Sequence, residues 1–509
     1  MTSMHARHAG VVLHPTSLPG RFGIGDIGPQ ARAWIDTLAD AGCDIWQVLP
    51  LGPTGYGDSP YQTFSSFAGN PYLVSPDDLA RDGLLHDVPK RRVPGGRVDY
   101  GSVIKWKLFL LDHAWHQFQS RRSNSRMVKD FERFRTSEAR WLDDYAMFQA
   151  IKEEQDLRPW PDWPPALRRR DSDALKLFSS THSESIDRIK FSQFLFFKQW
   201  GELRQHAHDR GVRILGDVPI FAAHDSADVW ANAGLFRLKA NGQPLVVAGV
   251  PPDYYASTGQ LWGNPLYRWR AHRQSGFAWW VDRVESTLRL VDLIRLDHFR
   301  GFHNFWEIPA AAPDARRGKW VKAPGRALFE TIQKRLGHSP FVAEDLGGDM
   351  PPAVAELREE LGLPGMVVLQ FGFGTGPEHE FLPHNYESPM RAVYTSTHDN
   401  DTAEGYWDGI RPKERRFAAS YLEGLGETFS EQLIRLAWSS NARFAMTTAQ
   451  DILGLGTDAK MNVPGTTGGN WQWRMTRPMS AARMARMRRL NALYARGIGA
   501  PEASRPSWT

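Results

Sequence analysis

The stretch LIRLDHFRG, residues 293–301, reads as a short buried strand that runs straight into charge. Leu293, Ile294 and Leu296 form a near-continuous apolar run, and the run ends at Asp297 with His298 and Arg300 close behind. Unbroken apolar runs of this length mark strands covered on both faces, as in parallel sheets. Seven more runs share the pattern: GVVLHP (10–15), CDIWQVLP (43–50), VRILGDVP (212–219), FVAEDLG (341–347), GMVVLQFGF (365–373), AVYTSTHDN (392–400) and RFAMTTAQD (443–451). Helical periodicity separates many of them, over 28–41, 191–210, 277–291, 325–337, 351–361 and 428–441. In PQARAWIDTLADAG, Pro29 suits a first helical turn and Gly42 an end. Eight strands alternating with helices predict an α/β fold, a (β/α)₈ TIM barrel.

The spacing is uneven. About 160 residues separate the second strand from the third, far more than one crossover needs. The expected organisation is a catalytic barrel made of 1–55 and 191–509, with a mainly helical insertion over 56–190. A smaller insertion over 222–276 follows the third strand. The basic segment SAARMARMRRLNALYARG (480–497) places Met484, Met487 and Leu490 on one side. It reads as a final helix packed on the barrel, with a membrane or anion surface as the alternative.

Composition narrows the function. Of 509 residues, 41% are hydrophobic and 23% charged, so a large core is available. A net charge of +5 on so long a chain is no nucleic-acid footprint. No run of about 18 apolar residues occurs, so no membrane span is expected. The start, MTSMHARHAG, has no apolar core of a secretory signal. The only cysteine is Cys43, which fits a reducing compartment; a cytoplasmic location is expected. Neither HExxH nor an EF-hand-like loop occurs. No metal or other cofactor is expected, and His8, His14 and His224 read as structural groups or as supports behind a site, not as ligands. The 20 tryptophans can be core filler, but their flat faces also stack on sugar rings and bases.

In such a barrel reactive groups stand at the C-terminal strand ends. Asp297 is read at the end of the fourth strand, Glu344 of the fifth and Asp399 of the seventh. Arg295 and Asp297 lie two apart and share a face. The guanidinium is expected to lower the Asp297 pKa and keep it ionised, unless the two form only a buried structural ion pair. An ionised carboxylate is what a glycosidic nucleophile requires, and its partner must be an acid of raised pKa. Glu344 fits, because Asp345 and the approaching Asp297 are negative. His398 and Asp399 are read as groups that grip sugar hydroxyls.

Longer motifs surround these residues: LHPTSLPGRFGIGDIG (13–28), LPLGPTGYGDSPYQ (49–62), GDVPIFAAHDSADVW (216–230), GVPPDYYASTGQLWGNPLY (249–267), RLDHFRGF (295–302), AEDLG (343–347), STHDNDT (396–402) and MNVPGTTGGNWQWR (461–474). AMFQAIKEE (146–154) and WPDWP (160–164) lie in the insertion. From about residue 9 to 475 the chain resembles the 4-alpha-glucanotransferases, the amylomaltase or disproportionating enzymes of the α-amylase clan (glycoside hydrolase family 77). The resemblance implies Asp297 as nucleophile, Glu344 as general acid/base and Asp399 as transition-state stabiliser. It places Arg295 and His398 in the sugar-binding shell, His298 next to the nucleophile, and Tyr61, Asp253 and Trp262 near bound glucan. Tyr56 matches a peripheral glucan site, and 249–262 a loop over the cleft.

The implied reaction is a retaining double displacement on maltooligosaccharides, amylose or other α-1,4-glucans, with glucose as an acceptor. It calls for carboxyl groups roughly 5–5.5 Å apart. Tyr254, Tyr255 and Trp262 have the faces for an acceptor sugar, ordinary loop packing being the alternative. The oligomeric state is left open.

Three rival readings remain. GIGDIG (23–28) is a formal G-x-G-x-x-G, with Asp44 downstream, but Pro15 and Pro19 lie between strand and first glycine, unlike a dinucleotide turn. It reads instead as a tight turn at the barrel mouth. A glucan-binding protein without catalysis and a plain α-glucosidase or amylase-type hydrolase are the others.

Overall fold

The structure is a computed structural model, and it describes residues 6–93, 95–122, 125–252, 257–347 and 350–499. Each of the eight apolar runs carries a strand: His8–Val12, Ile45–Gln47, Arg213–Pro219, Leu293–Asp297, Phe341–Ala343, Gly365–Val368, Arg391–Tyr394 and Phe444–Thr448. They are parallel and form a closed barrel in chain order. The last strand returns to the first, with His8 opposite Phe444 and Val12 opposite Thr448.

Alternation divides each strand between two cores. Inward residues such as Leu215, Leu293, Val342, Met366, Tyr394 and Met446 fill the barrel. Their outward neighbours, among them Ile214, Ile294 and Val393, join the larger core beneath the helices. Above the apolar filling, the inward positions turn polar at Asp217, Arg295 and Asp297, so the barrel is plugged below and charged at its mouth.

Between the second and third strands run the helices Tyr100–Gln119, Arg126–Glu154, Ser172–Thr181 and Ser183–Asp209. Asp99, Ser125 and Asp171 cap the first three by accepting backbone N–H bonds. The helix expected at 191–210 begins at Ser183, because the apolar spacing continues upstream through Ile186 and Ile189. Its Phe196 ring presses on Gly69: a Cβ there would sit 1.9 Å from the ring. Gly69→Ala must push that helix away and is expected to cost about 2–3 kcal/mol. A urea titration beside the parent chain checks it; an unchanged midpoint would contradict this packing.

A second, antiparallel sheet was not foreseen. Its order is Gln260–Pro265, Val246–Val250, Asn304–Pro309, Lys319–Lys322. NFWEIP and KWVK mix polar and apolar residues, so a search for continuous apolar runs passes over them. This sheet carries Trp262 to the barrel mouth.

The basic C-terminal helix Ala481–Leu493 packs down, burying Met484, Met487 and Leu490. Arg483 donates to the carbonyls of Ile452 and Leu453, and Arg488 to that of Asp40. These arginines cap the ends of neighbouring helices. Among the described residues no helix is long and apolar enough to cross a membrane.

The GIGDIG segment is a turn packed on its own chain. A Cβ on Gly25 would meet the Pro15 carbonyl oxygen at 2.0 Å, and one on Gly28 the Ser75 hydroxyl at 2.0 Å. Those glycines serve close chain packing, so the dinucleotide reading has no support from the fold.

Candidate active site

Strand register assembles the site. Arg295 pairs with Asp217 on one side and Val342 on the other, and Leu296 pairs with Ala343. One step further along these parallel strands stand Asp297 and Glu344. The ladder continues past the strand end, because Glu344 N–H donates to the Leu296 carbonyl (3.0 Å) and Phe299 N–H to the Glu344 carbonyl (2.8 Å). Two carboxyl groups on adjacent strands therefore reach one mouth.

Between them His298 adopts a left-handed conformation, φ 54° and ψ 55°. A residue with a Cβ is uncommon there. The turn aims the His298 N–H at Glu344 Oε2, 2.6 Å away. Leu346 N–H meets the other oxygen at 3.1 Å.

Arg295 holds the opposite wall. Its Nη1 donates to Asp217 Oδ2 (2.6 Å) and Asp297 Oδ1 (3.0 Å). Arg295 and Asp217 are 4% and 5% exposed. Tyr61 O–H donates to the same Asp217 oxygen at 2.7 Å, and lies 2.8 Å from His398 Nε2. Burial, reinforced by Asp217, pushes the Tyr61 pKa well up, so the hydroxyl keeps its single proton. That proton goes to Asp217. His398 must then carry hydrogen on Nε2, which faces Tyr61 and, at 3.3 Å, Asp399 Oδ2. Tyr61 also stacks on the His398 ring.

Asp399 stands on the loop after the seventh strand, not at its end, since that strand stops at Tyr394. Asn462 Nδ2 donates to its Oδ1 at 2.6 Å. Burial alone would raise the Asp399 pKa. His398 and Asn462 overcome this and hold it well below the ordinary carboxylate range.

The two other acids are pushed the opposite way. For Asp297 this corrects the expectation of a lowered pKa: burial outweighs Arg295, Asp217 and Asp399 add repulsion, and the value rises to about 6. The guanidinium is shared with Asp217, so it cannot serve Asp297 alone. Glu344 rises to about 8, chiefly by burial; the attraction of Arg295 is opposed by the charge of Asp297. The source expected from Asp345 is absent. Asp345 turns away to Arg358 and to the Met366 N–H, as alternation along the chain dictates. Both acids are raised, Glu344 further than Asp297, so Glu344 holds its proton to higher pH than Asp297 does.

All three acids line one cleft of about 1160 Å³, larger than an ordinary small-molecule pocket. Arg295, Tyr61, Trp262 and His298 line it too. Trp262 meets His298 edge to face at 5.0 Å. His398 is buried just behind Tyr61 and Trp471. Asp253, Tyr254, Tyr255 and the side chain of Tyr56 lie outside the described residues. Sequence reading missed Asp217, Asn462 and Trp471. Asp217 could have been found as an acid in an apolar strand; Asn462 and Trp471 sat in a motif whose place in space was unknown. Among the described residues no cluster of His, Cys, Asp and Glu could hold a metal ion. His8 pairs with Asp44 (2.7 Å) and His224 with the Gly242 carbonyl (2.8 Å).

A carboxyl pair on adjacent strands with a third acid beside it, at the mouth of a (β/α)₈ barrel, defines the class as an enzyme whose paired carboxyl groups suit glycosidic bonds. Comparison with known proteins narrows the class. Residues 13–480 match the 4-alpha-glucanotransferase family, glycoside hydrolase family 77, and the chain belongs to it. The 4-alpha-glucanotransferase of Thermus thermophilus is 50% identical over 476 residues, covering 92% of this chain and 95% of that protein. The chloroplastic/amyloplastic enzyme of Solanum tuberosum is 43% identical, covering 92% and 82%. In structure, the amylomaltase from Streptococcus agalactiae in complex with acarbose superposes with a TM-score of 0.92 at 38% identity, over 96% of this chain and all of that one. Membership makes the chain a glycosyl-transferring enzyme that acts on α-1,4-glucans.

Proposed function

We propose that Asp297, Glu344 and Asp399 carry out a retaining disproportionation of maltooligosaccharides, with glucose or another glucan as acceptor. Asp297 attacks C1 of an α-1,4-linked glucose unit. The bond from C1 to the leaving oxygen breaks, and Glu344 gives its proton to that oxygen. A glycosyl ester on Asp297 results. Glu344, now ionised, takes the proton of an incoming 4-hydroxyl; the new C1–O bond forms as the ester breaks. Asp399, held ionised, faces the positive charge that develops on the sugar ring. Arg295, His398, His298, Tyr61 and Trp262 are assigned to the sugar-binding shell, and Asp253 and Tyr56 to further glucan contacts.

One observation carries this reading: adjacent-strand register sets Asp297 beside Glu344, with Arg295 on one carboxyl and the His298 N–H on the other. Transfer rather than hydrolysis is supported by the family and by an aromatic wall of Tyr61, Trp262 and Trp471 along the cleft. Such a wall favours a bound sugar over water as acceptor. Acarbose, found in the Streptococcus agalactiae relative, is expected to inhibit this chain. The division into a barrel of 1–55 and 191–509 with insertions at 56–190 and 222–276 belongs to the same proposal. So does a cytoplasmic location, which rests on the single buried Cys43.

Product chromatography with maltotriose as sole substrate tests the reaction. Glucose together with longer maltooligosaccharides is the expected pattern. Steady conversion to glucose and shorter sugars would make the chain a hydrolase, and binding without products a glucan-binding protein.

A further inference from the structure

The eighth strand leads into an acid that touches no substrate in this mechanism. Asp451 lies in the short helix Ala449–Leu453 and is 1% exposed. Its backbone N–H donates to Thr448 Oγ1 at 3.2 Å, which fixes the first turn. Its side chain serves a different part of the chain. Oδ2 accepts from Thr395 Oγ1 (2.6 Å) and Ser396 Oγ (2.5 Å). Oδ1 accepts from the Ala403 N–H (2.7 Å). Those partners stand at the two ends of loop 395–403, which carries His398 and Asp399. One buried carboxylate thus closes the loop on itself.

The loop's middle is tied elsewhere. Asn462 N–H donates to the His398 carbonyl (3.1 Å), and Asn462 Nδ2 to Asp399. These bonds set the side-chain end of Asp399, while Asp451 sets where the backbone starts and stops. Burial pushes the Asp451 pKa up, and the Ala403 N–H and the hydroxyls of Ser396, Thr395 and Thr448 oppose the rise. Bonds from several donors to one buried carboxylate are strong and directional, so the closure is stiff.

We propose that Asp451 is a positioning residue: by fastening both ends of loop 395–403 it places Asp399 and His398 against the reacting sugar. The proposal rests on the reading of Asp399 as stabiliser of the transition state. A loop held at one end only would let Asp399 drift by a fraction of an ångström or more. Such displacement harms the transition state more than the ground state, because the charge that Asp399 faces exists only there.

The test is a double-mutant cycle with all four corners read in transfer from an α-maltosyl fluoride donor. Asp451→Ala is expected to lower kcat about 100-fold while KM changes less than about threefold. Asp451→Asn is expected to recover most of that loss, to within about tenfold of the parent. Its Oδ1 still accepts from Ala403. Its amide can donate to the Thr395 and Ser396 hydroxyls, which turn their protons toward Thr447 and Thr448 Oγ1 at 3.0 and 3.3 Å. In an Asp399→Asn background, read with the same donor, Asp451→Ala should cost less than about threefold.

A second full 100-fold loss in that background would overturn the proposal, as would a folded Asp451→Ala enzyme with parental kcat. If Asp451→Ala is unstable, Ser396→Ala carries the same cycle, since it removes one tie and leaves the acid. Should Asp399→Asn itself keep parental kcat, the fault lies in the role given to Asp399, which separates the two readings.

Discussion

Replacing Asp297 by asparagine is expected to reduce transfer about 10⁴-fold or more in kcat. The amide is nearly isosteric, and Arg295 can still donate to its carbonyl oxygen, so the barrel mouth should keep its shape. What disappears, on the proposed roles, is the nucleophile. An amide oxygen cannot form the ester that stores the glycosyl group between donor and acceptor, and no other carboxyl group occupies that strand position. KM for maltotriose should stay within a few-fold, because Tyr61 and Trp262 remain. Initial rates of glucose release, measured beside the thermal midpoint, decide it. A folded Asp297→Asn enzyme with near-parental turnover would overturn the assignment.

Glu344→Gln is expected to fail in a more selective way. With maltotriose the loss should be about 10³-fold or more, since the leaving oxygen must depart unprotonated. With an α-glucosyl or maltosyl fluoride the first step should proceed at close to its parental rate, because fluoride needs no proton to leave. The pH dependence follows from the same two groups. On the proposed roles, activity requires Asp297 ionised and Glu344 protonated. Falling pH protonates Asp297 near its raised value of about 6, and rising pH strips Glu344 near about 8. The kcat/KM profile for maltotriose should therefore be a bell with limbs at about those positions. Asp399, held below the ordinary range, stays ionised across it. In Glu344→Gln with the fluoride donor the alkaline limb of the first step should vanish and the acid limb persist. An alkaline limb that survives the substitution would mean another group supplies the proton.

The barrel was legible because parallel strands buried on both faces write themselves as apolar runs, and all eight runs carry strands. The acids were legible because LIRLDHFRG and FVAEDLG put charge where such runs stop, and STHDN puts it in the loop that follows one. What lay hidden depends on register or on sharing. Asp217 sits inside VRILGDVP and gains meaning only when the third strand lines up with the fourth, which sets it against Arg295. That partnership also explains the mistaken direction for Asp297: a guanidinium shared with the buried Asp217 does not offset the desolvation of the half-buried Asp297. Asp345, one residue from Glu344, looked like an electrostatic neighbour, yet alternation sends it to Arg358. Asp451 was visible as the last residue of RFAMTTAQD, but its partners Thr395, Ser396 and Ala403 are about 50 residues away in sequence and no local pattern links them.

The account's central claim is that Asp297 bonds covalently to the transferred sugar while Glu344 handles the proton. Glu344→Gln incubated with α-maltosyl fluoride should form the ester and lack the base that discharges it. Peptide mass spectrometry of the quenched, digested enzyme should then find one maltosyl increment on the peptide that contains Asp297. An increment on a peptide bearing Asp399 instead, or none while fluoride is being released, would contradict it.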